Sequence, residues 1–123
     1  MLPTNLEECF KVLKDFLSAD DLAFIKKNHK NVSALHHTLG RKIRNEWGLW
    51  SGSELKQYFE KLNLPHPDDM SGVILHSFHL HLNGLPLEVE KQIKKYQEYW
   101  EAVNSGVTNF FIGEDGSITP IKE

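Results

Sequence analysis

The chain has 123 residues, 40% of them hydrophobic and 25% charged, with a formal net charge of −3 when histidine is neutral. That length supports one domain with a real core, burying roughly two thirds of the surface its unfolded form would expose. No run approaches the ~18 apolar residues of a membrane span, and the acidic balance gives no global attraction for nucleic acid.

The opening residues, MLPTNLEECF, carry acids where a signal peptide needs a basic region, and they lack its apolar core, so export is not expected. The lone Cys9 agrees, because one thiol cannot staple a fold and suits a reducing compartment. The cytoplasm is the expected location. Thr4 with Glu7 three residues on has capping-box spacing, and Leu6, Phe10, Leu13 and then Phe16 or Leu17 recur at helical intervals, predicting a first helix. Ser18 followed by Asp21 repeats the start signal for a short second helix that turns Leu22 and Ile25 inward. Ser33 predicts the cap of a third helix running from about Ala34 to Gly48, with Leu35, Leu39 and Ile43 as its apolar stripe.

Ser51 or Ser53 caps a fourth helix that presents Leu55, Tyr58, Phe59 and Leu62 on one side. Pro65 and Pro67 mark the turn after it. A fifth helix, about Asp68 to Leu82, places Met70, Val73, Ile74, Ser77, Phe78 and His81 on one stripe and Leu75 and Leu82 on an adjoining one, and Asn83-Gly84 stops it. A sixth, about Pro86 to Val103, turns Val89, Ile93, Tyr96 and Trp100 inward. The tail VTNFFIGEDGSITPIKE has β-favouring residues on both sides of GEDGS, the pattern of a hairpin with Pro120 on an edge. The expected architecture is mainly α: a compact bundle of about six helices with a short C-terminal β-hairpin. It forms a single globular domain over residues 1–123, helical over 1–103 and hairpin or tail over 104–123.

The stretch LHHTLGRKIRNEWGLW gathers two His, two Arg, an Asn and two Trp around one glycine. On a helix, His36, Gly40 and Arg44 fall one turn apart on nearly one side. Glycine in a helix interior costs about 1 kcal/mol against alanine, so Gly40 needs a reason. Either another helix or a ring such as Trp47, Trp50 or Tyr58 packs on its bare backbone, or Gly40 floors a pocket flanked by an imidazole and a guanidinium. An Arg beside the buried side of a helix needs a partner. Asp68 and Asp69, at the start of the fifth helix, are the obvious ones. Arg44 therefore belongs to a structural bridge with one of them or to a site that binds a ligand anion.

His76 and His79 in HSFHLH have a spacing that can share a metal, but no HExxH pattern or Cys pair flanks them, so neither a metal nor any other cofactor is expected. The basic run GRKIR reads as a solvated helix face, with no nucleic-acid partner expected. No phosphate loop, nucleophile elbow or Cys/His signature is present, and nothing in the sequence obliges catalysis.

The ordered series LHHTLGRKIRNEWGLW, SGSELKQYF, HPDDMSGVIL, HLNG and QIKKYQEYW resembles a small bacterial family of domains of unknown function. That family is marked by His-x-x-x-Gly-x-x-x-Arg-Asn, Trp-Gly-Leu-Trp and His-Pro-Asp-Asp-Met-Ser. The resemblance spans Leu2 to Trp100 and places a polar signature on His36, Gly40, Arg44, Asn45, Trp47, Trp50, Ser53, His66, Asp68, Asp69 and Ser71. The chain departs from it in the polar His37, Arg41 and Lys42, where apolar or aromatic residues are expected. The resemblance implies a compact intracellular bacterial or phage domain but carries no activity across.

The expectation is thus a non-enzymatic binding protein, an immunity, regulatory or anti-defence factor acting through protein contact. The alternative is a binder of a small anionic or nucleotide-like ligand, clasped by His36, Arg44, Asn45 and the tryptophans. A third reading is a hydrolytic enzyme using His36 and an Asp. The first predicts an exposed apolar patch over satisfied polar groups; the second predicts an Arg44 without a protein carboxylate. Oligomeric state is not legible.

Overall fold

The computed structural model describes residues 2–104, 110–112 and 118–120. The protein is mainly α, and the chain divides into two compact units, residues 1–87 and 88–123.

In the first unit the helices are α1 (Leu6–Phe16), α2 (Ala19–Lys27), α3 (His29–Ala34), α4 (Leu39–Glu46), α5 (Glu54–Lys61) and α6 (Pro67–Leu82). Helix α6 is the axis and packs against each of α1 to α5. Its sequence explains that position, since Met70, Ser71, Val73, Ile74, Leu75, Ser77, Phe78 and His79 are all buried. A helix apolar on nearly every side must be covered on nearly every side. Around it, Leu6, Cys9, Phe10 and Leu13 come from α1, Ile25 from α2, Ile43 from α4, and Leu55 and Phe59 from α5.

Several boundaries differ from the sequence reading. Asn5, not Thr4, caps α1: its side chain accepts from the Glu8 N–H at 3.0 Å, while Glu8 reaches back to the N–H and hydroxyl of Thr4 at 2.9 and 2.8 Å. The third helix, expected from about Ala34, starts only at Leu39, and an unforeseen short helix precedes it. Asn28 caps α3, residues 35–38 form turns, and α4 begins at Leu39 with no side-chain cap. Ser33 lies inside α3 and caps nothing. His79, not His81, is the buried histidine of α6, whereas His81 is exposed and stacks on Phe10 with ring centroids 4.6 Å apart.

In the second unit, α7 runs from Val89 to Asn104, and the strands β1 (Phe110–Ile112) and β2 (Ile118–Pro120) pair antiparallel with Phe111 opposite Thr119. Helix α7 lies beside β2. The turn expected at GEDGS, residues 113–117, lies outside the described residues. Among the described residues no helix is long and apolar enough to cross a membrane.

Candidate functional site

The polar signature converges where α4 crosses α6, and Arg44 is its centre. The guanidinium is buried and each of its three nitrogens has a protein acceptor. Nε faces Asp68 Oδ1 at 3.2 Å, Nη1 donates to Ser71 Oγ at 2.8 Å, and Nη2 donates to the His36 carbonyl at 3.2 Å. The Ser71 hydroxyl in turn donates a hydrogen bond to the Asp68 backbone carbonyl at 2.9 Å. Bonding through a planar fork to three acceptors is what suits Arg, rather than Lys, to this corner.

Gly40 is explained by the same side chain. A Cβ there would lie 3.1 Å from Arg44 Nη1, 3.4 Å from the Leu35 carbonyl and 3.7 Å from Leu75 Cδ1. The Arg44 guanidinium lies over Gly40, with α6 close behind. The glycine neither opens a pocket nor serves as a seat for Trp47, Trp50 or Tyr58.

The other signature residues have separate structural roles. His66 caps α6, its Nδ1 accepting the Asp68 N–H at 3.1 Å, and Pro67 occupies the first helical position. Ser53 caps α5 through the Lys56 N–H at 3.2 Å. Asp69 is buried, and Asn45 is exposed on α4. Trp47 is buried, whereas Trp50 is 57% exposed and sits edge-on to His66 with centroids 6.1 Å apart. His36 is half-buried, with its ring edge-on to His37. Burial, then the Arg44 charge, holds its pKa below the usual histidine value, outweighing the opposite pull of Asp68 and Asp69. The cluster thus joins His36, Gly40, Arg44, His66, Asp68 and Ser71, with Trp50 at its edge against His66 and Asn45 exposed on α4.

The histidine pair on α6 stands with ring centroids 6.3 Å apart. His79 Nδ1 lies 2.7 Å from the Ile25 carbonyl, which can only accept, so Nδ1 carries the proton. Among the described residues no group of three or more His, Cys, Asp or Glu side chains converges as a metal site would. Cys9 is fully buried, and burial pushes its thiol far above the usual range.

On the other side of α4 lies a feature the sequence reading missed. Helices α1 and α4 both lean on α6 and leave an apolar groove between them. One hollow of about 440 Å³ is lined by Leu2, Val12, Phe16, Leu39, Ile43 and Trp47, with Lys42 and Glu46 at its edge. A second of about 270 Å³ continues it toward α2, where Leu17, Phe24, Ile25 and Leu35 join Leu39 and Lys42. Phe16 and Phe24 are 56% and 45% exposed there. Lys42 crosses the groove with its ammonium 4.8 Å from the Phe16 ring centroid and 2.9 Å from Glu46. The signal available was Val12 and Phe16, four residues apart: Phe16, expected to extend the Leu6, Phe10, Leu13 stripe, instead stands exposed, so that α1 is apolar on a second side.

A family model described as a domain of unknown function, DUF6794, matches residues 2–82. Searches among curated proteins and among solved structures found no match.

Proposed function

We propose, from the premise that the chain belongs to the DUF6794 domain family, that the protein is a binding module acting through protein contact, with the groove between α1, α2 and α4 as its contact surface. The observation that carries this reading is the exposure of Phe16 and Phe24 beside two adjoining apolar hollows, in a molecule whose conspicuous polar residues are bonded to one another. An exposed apolar patch of this kind marks an interaction site far more often than a solvated surface. A regulatory, immunity or anti-defence factor working in a reducing compartment fits such a surface and the single buried thiol.

A binder of a small anionic or nucleotide-like ligand has less support. Arg44, the cation that would hold the anion, already faces the Asp68 carboxylate and donates to Ser71 and to the His36 carbonyl.

Native mass spectrometry of the protein purified from its host separates the readings. A protein adduct lost in Leu39→Asp and kept in Asn45→Ala is the expected result. A retained small molecule with the opposite dependence overturns it.

A further inference from the structure

Resting on the reading of the groove as a protein-contact surface, we infer that its occupant is a basic amphipathic α-helix of a partner protein. Apolar side chains on one face of that helix fill the two hollows, while its Lys or Arg side chains pass Asp15, Asp20 and Asp21.

The walls argue for a helix. They are α1, α2 and α4, whose backbone groups bond within their own helices, so an extended partner finds no strand edge to pair with. A helix satisfies its own backbone and offers only side chains, which is all the groove can receive. The two hollows share Leu39 and Lys42 at the start of α4; the smaller reaches back to Leu35 and Thr38 in the turns before that helix, and the larger runs on to Ile43 and Trp47.

The charge follows from what is already neutralised. Lys42 is paired with Glu46 and rests on Phe16, so it offers no net charge to a visitor. Asp21 lines the smaller hollow, Asp20 stands one turn before Phe24, and Asp15 precedes Phe16; all three are exposed. Asp20 and Asp21 stand in the first turn of α2, where the helix dipole favours acids. Asp15, near the end of α1, has no such reason. The basic residues of α1, Lys11 and Lys14, lie by helical spacing on the side away from Val12 and Phe16, and Lys14 bonds His81. Where α1 ends and α2 begins, the rim of the groove is therefore acidic beside exposed aromatics, complementary to a cationic amphipathic helix.

The test uses the full chain and two synthetic helical peptides of 16 residues with one shared apolar face, carrying Lys on the polar face in one and Glu in the other. The Lys peptide is expected to move the methyl signals of Val12, Leu39 and Ile43 and the Trp47 indole, binding about tenfold tighter than the Glu peptide, an advantage that salt erodes. Replacing Asp15, Asp20 and Asp21 by Asn together removes the preference, and Leu39→Glu abolishes binding of both; Val12→Glu serves if Leu39→Glu does not fold. Equal binding of the two peptides overturns the charge assignment and leaves the protein-contact reading standing. No movement of these signals with either peptide overturns the helix. Concentration-dependent broadening of the same signals without peptide, with a dimer by sedimentation, assigns the groove to a second copy and overturns it as well.

Discussion

A guanidinium can lie along its own helix only if the residue one turn earlier leaves room, and in α4 that residue is Gly40. Alanine is the better helix former by about 1 kcal/mol, yet its Cβ would press on Arg44 Nη1 at 3.1 Å, and the nitrogen is held by Ser71. The guanidinium cannot retreat without stretching bonds to Asp68, Ser71 and His36. Gly40→Ala is therefore expected to destabilise the protein by about 1 kcal/mol, and to become stabilising by up to about 1 kcal/mol once Arg44→Met has removed the obstacle. Urea unfolding of the four members of that cycle checks the change of sign. The exposures of the ion pair order a second prediction: the Arg44 side chain is 7% exposed and that of Asp68 is 45%. Asp68→Ala strands a buried cation and should cost about 1–3 kcal/mol, whereas Arg44→Met leaves a carboxylate that water already reaches and should cost less. An equal or reversed order of the two melting temperatures would count against the bridge as described.

The end of α2 shows how an element depends on side chains from elsewhere. Its last carbonyls have no partner within the helix, and three take donors from outside it: Asn31 Nδ2 to Phe24 at 2.6 Å, His79 Nδ1 to Ile25 at 2.7 Å, and Asn83 Nδ2 to Lys26 at 3.0 Å. Two of these donors belong to α6 or its cap, so α2 is tied to the axis at its C-terminal end. His79→Phe removes the most buried tie and should destabilise by about 1–3 kcal/mol, with amide exchange in α2 quickening more than in α5. Uniform quickening would mean that α2 has no local opening of its own. Helix stops were more legible than such ties. Gly48 and Gly84 have positive φ, and the Leu49 and Leu85 N–H groups close back onto the Arg44 and Leu80 carbonyls at 3.2 and 2.9 Å, as Trp-Gly-Leu and Asn-Gly-Leu suggest. Asn63 makes the same ending, with Leu64 bonding Phe59 at 3.1 Å, and nothing in Asn-Leu-Pro announces it. The Arg44 to Asp68 bridge was legible from residue types. The split at residues 35–38 was not, because Leu35, Leu39 and Ile43 keep a helical period across it, and neither was His79 over His81, since both follow the apolar positions of α6.

At the scale of the first unit, the polar corner and the groove are the two sides of one arrangement. Arg44 fastens α4 to the start of α6, and on the opposite side of α4 the apolar surface that α1 does not meet remains open. The position of α1 therefore sets the width of the groove, and α1 is held to α6 partly by His81, whose ring stacks on Phe10 and whose Nε2 accepts from Lys14 Nζ at 2.8 Å. That bond requires a neutral imidazole. Partial desolvation where its ring stacks on Phe10, then the Lys14 charge, lowers the His81 pKa, and burial with Arg44 does the same for His36. Both histidines thus bind protons more readily in the unfolded chain than in the folded one. Their contribution is fully present above the ordinary histidine value of about 6.5 and is lost as pH falls through the folded values below it. Glu8, lowered by its bonds to Thr4, acts only in the carboxylate range and leaves this window to the histidines. Melting temperature is expected to fall as pH is lowered from 7 to 5, with the Val12 and Phe10 signals of α1 shifting before global unfolding. Thermal scans across that range should show the slope flattened in a His36→Gln, His81→Gln double variant. A stability that rises on acidification would mean that His81 is protonated in the fold, and that a group other than Lys14 supplies its partner.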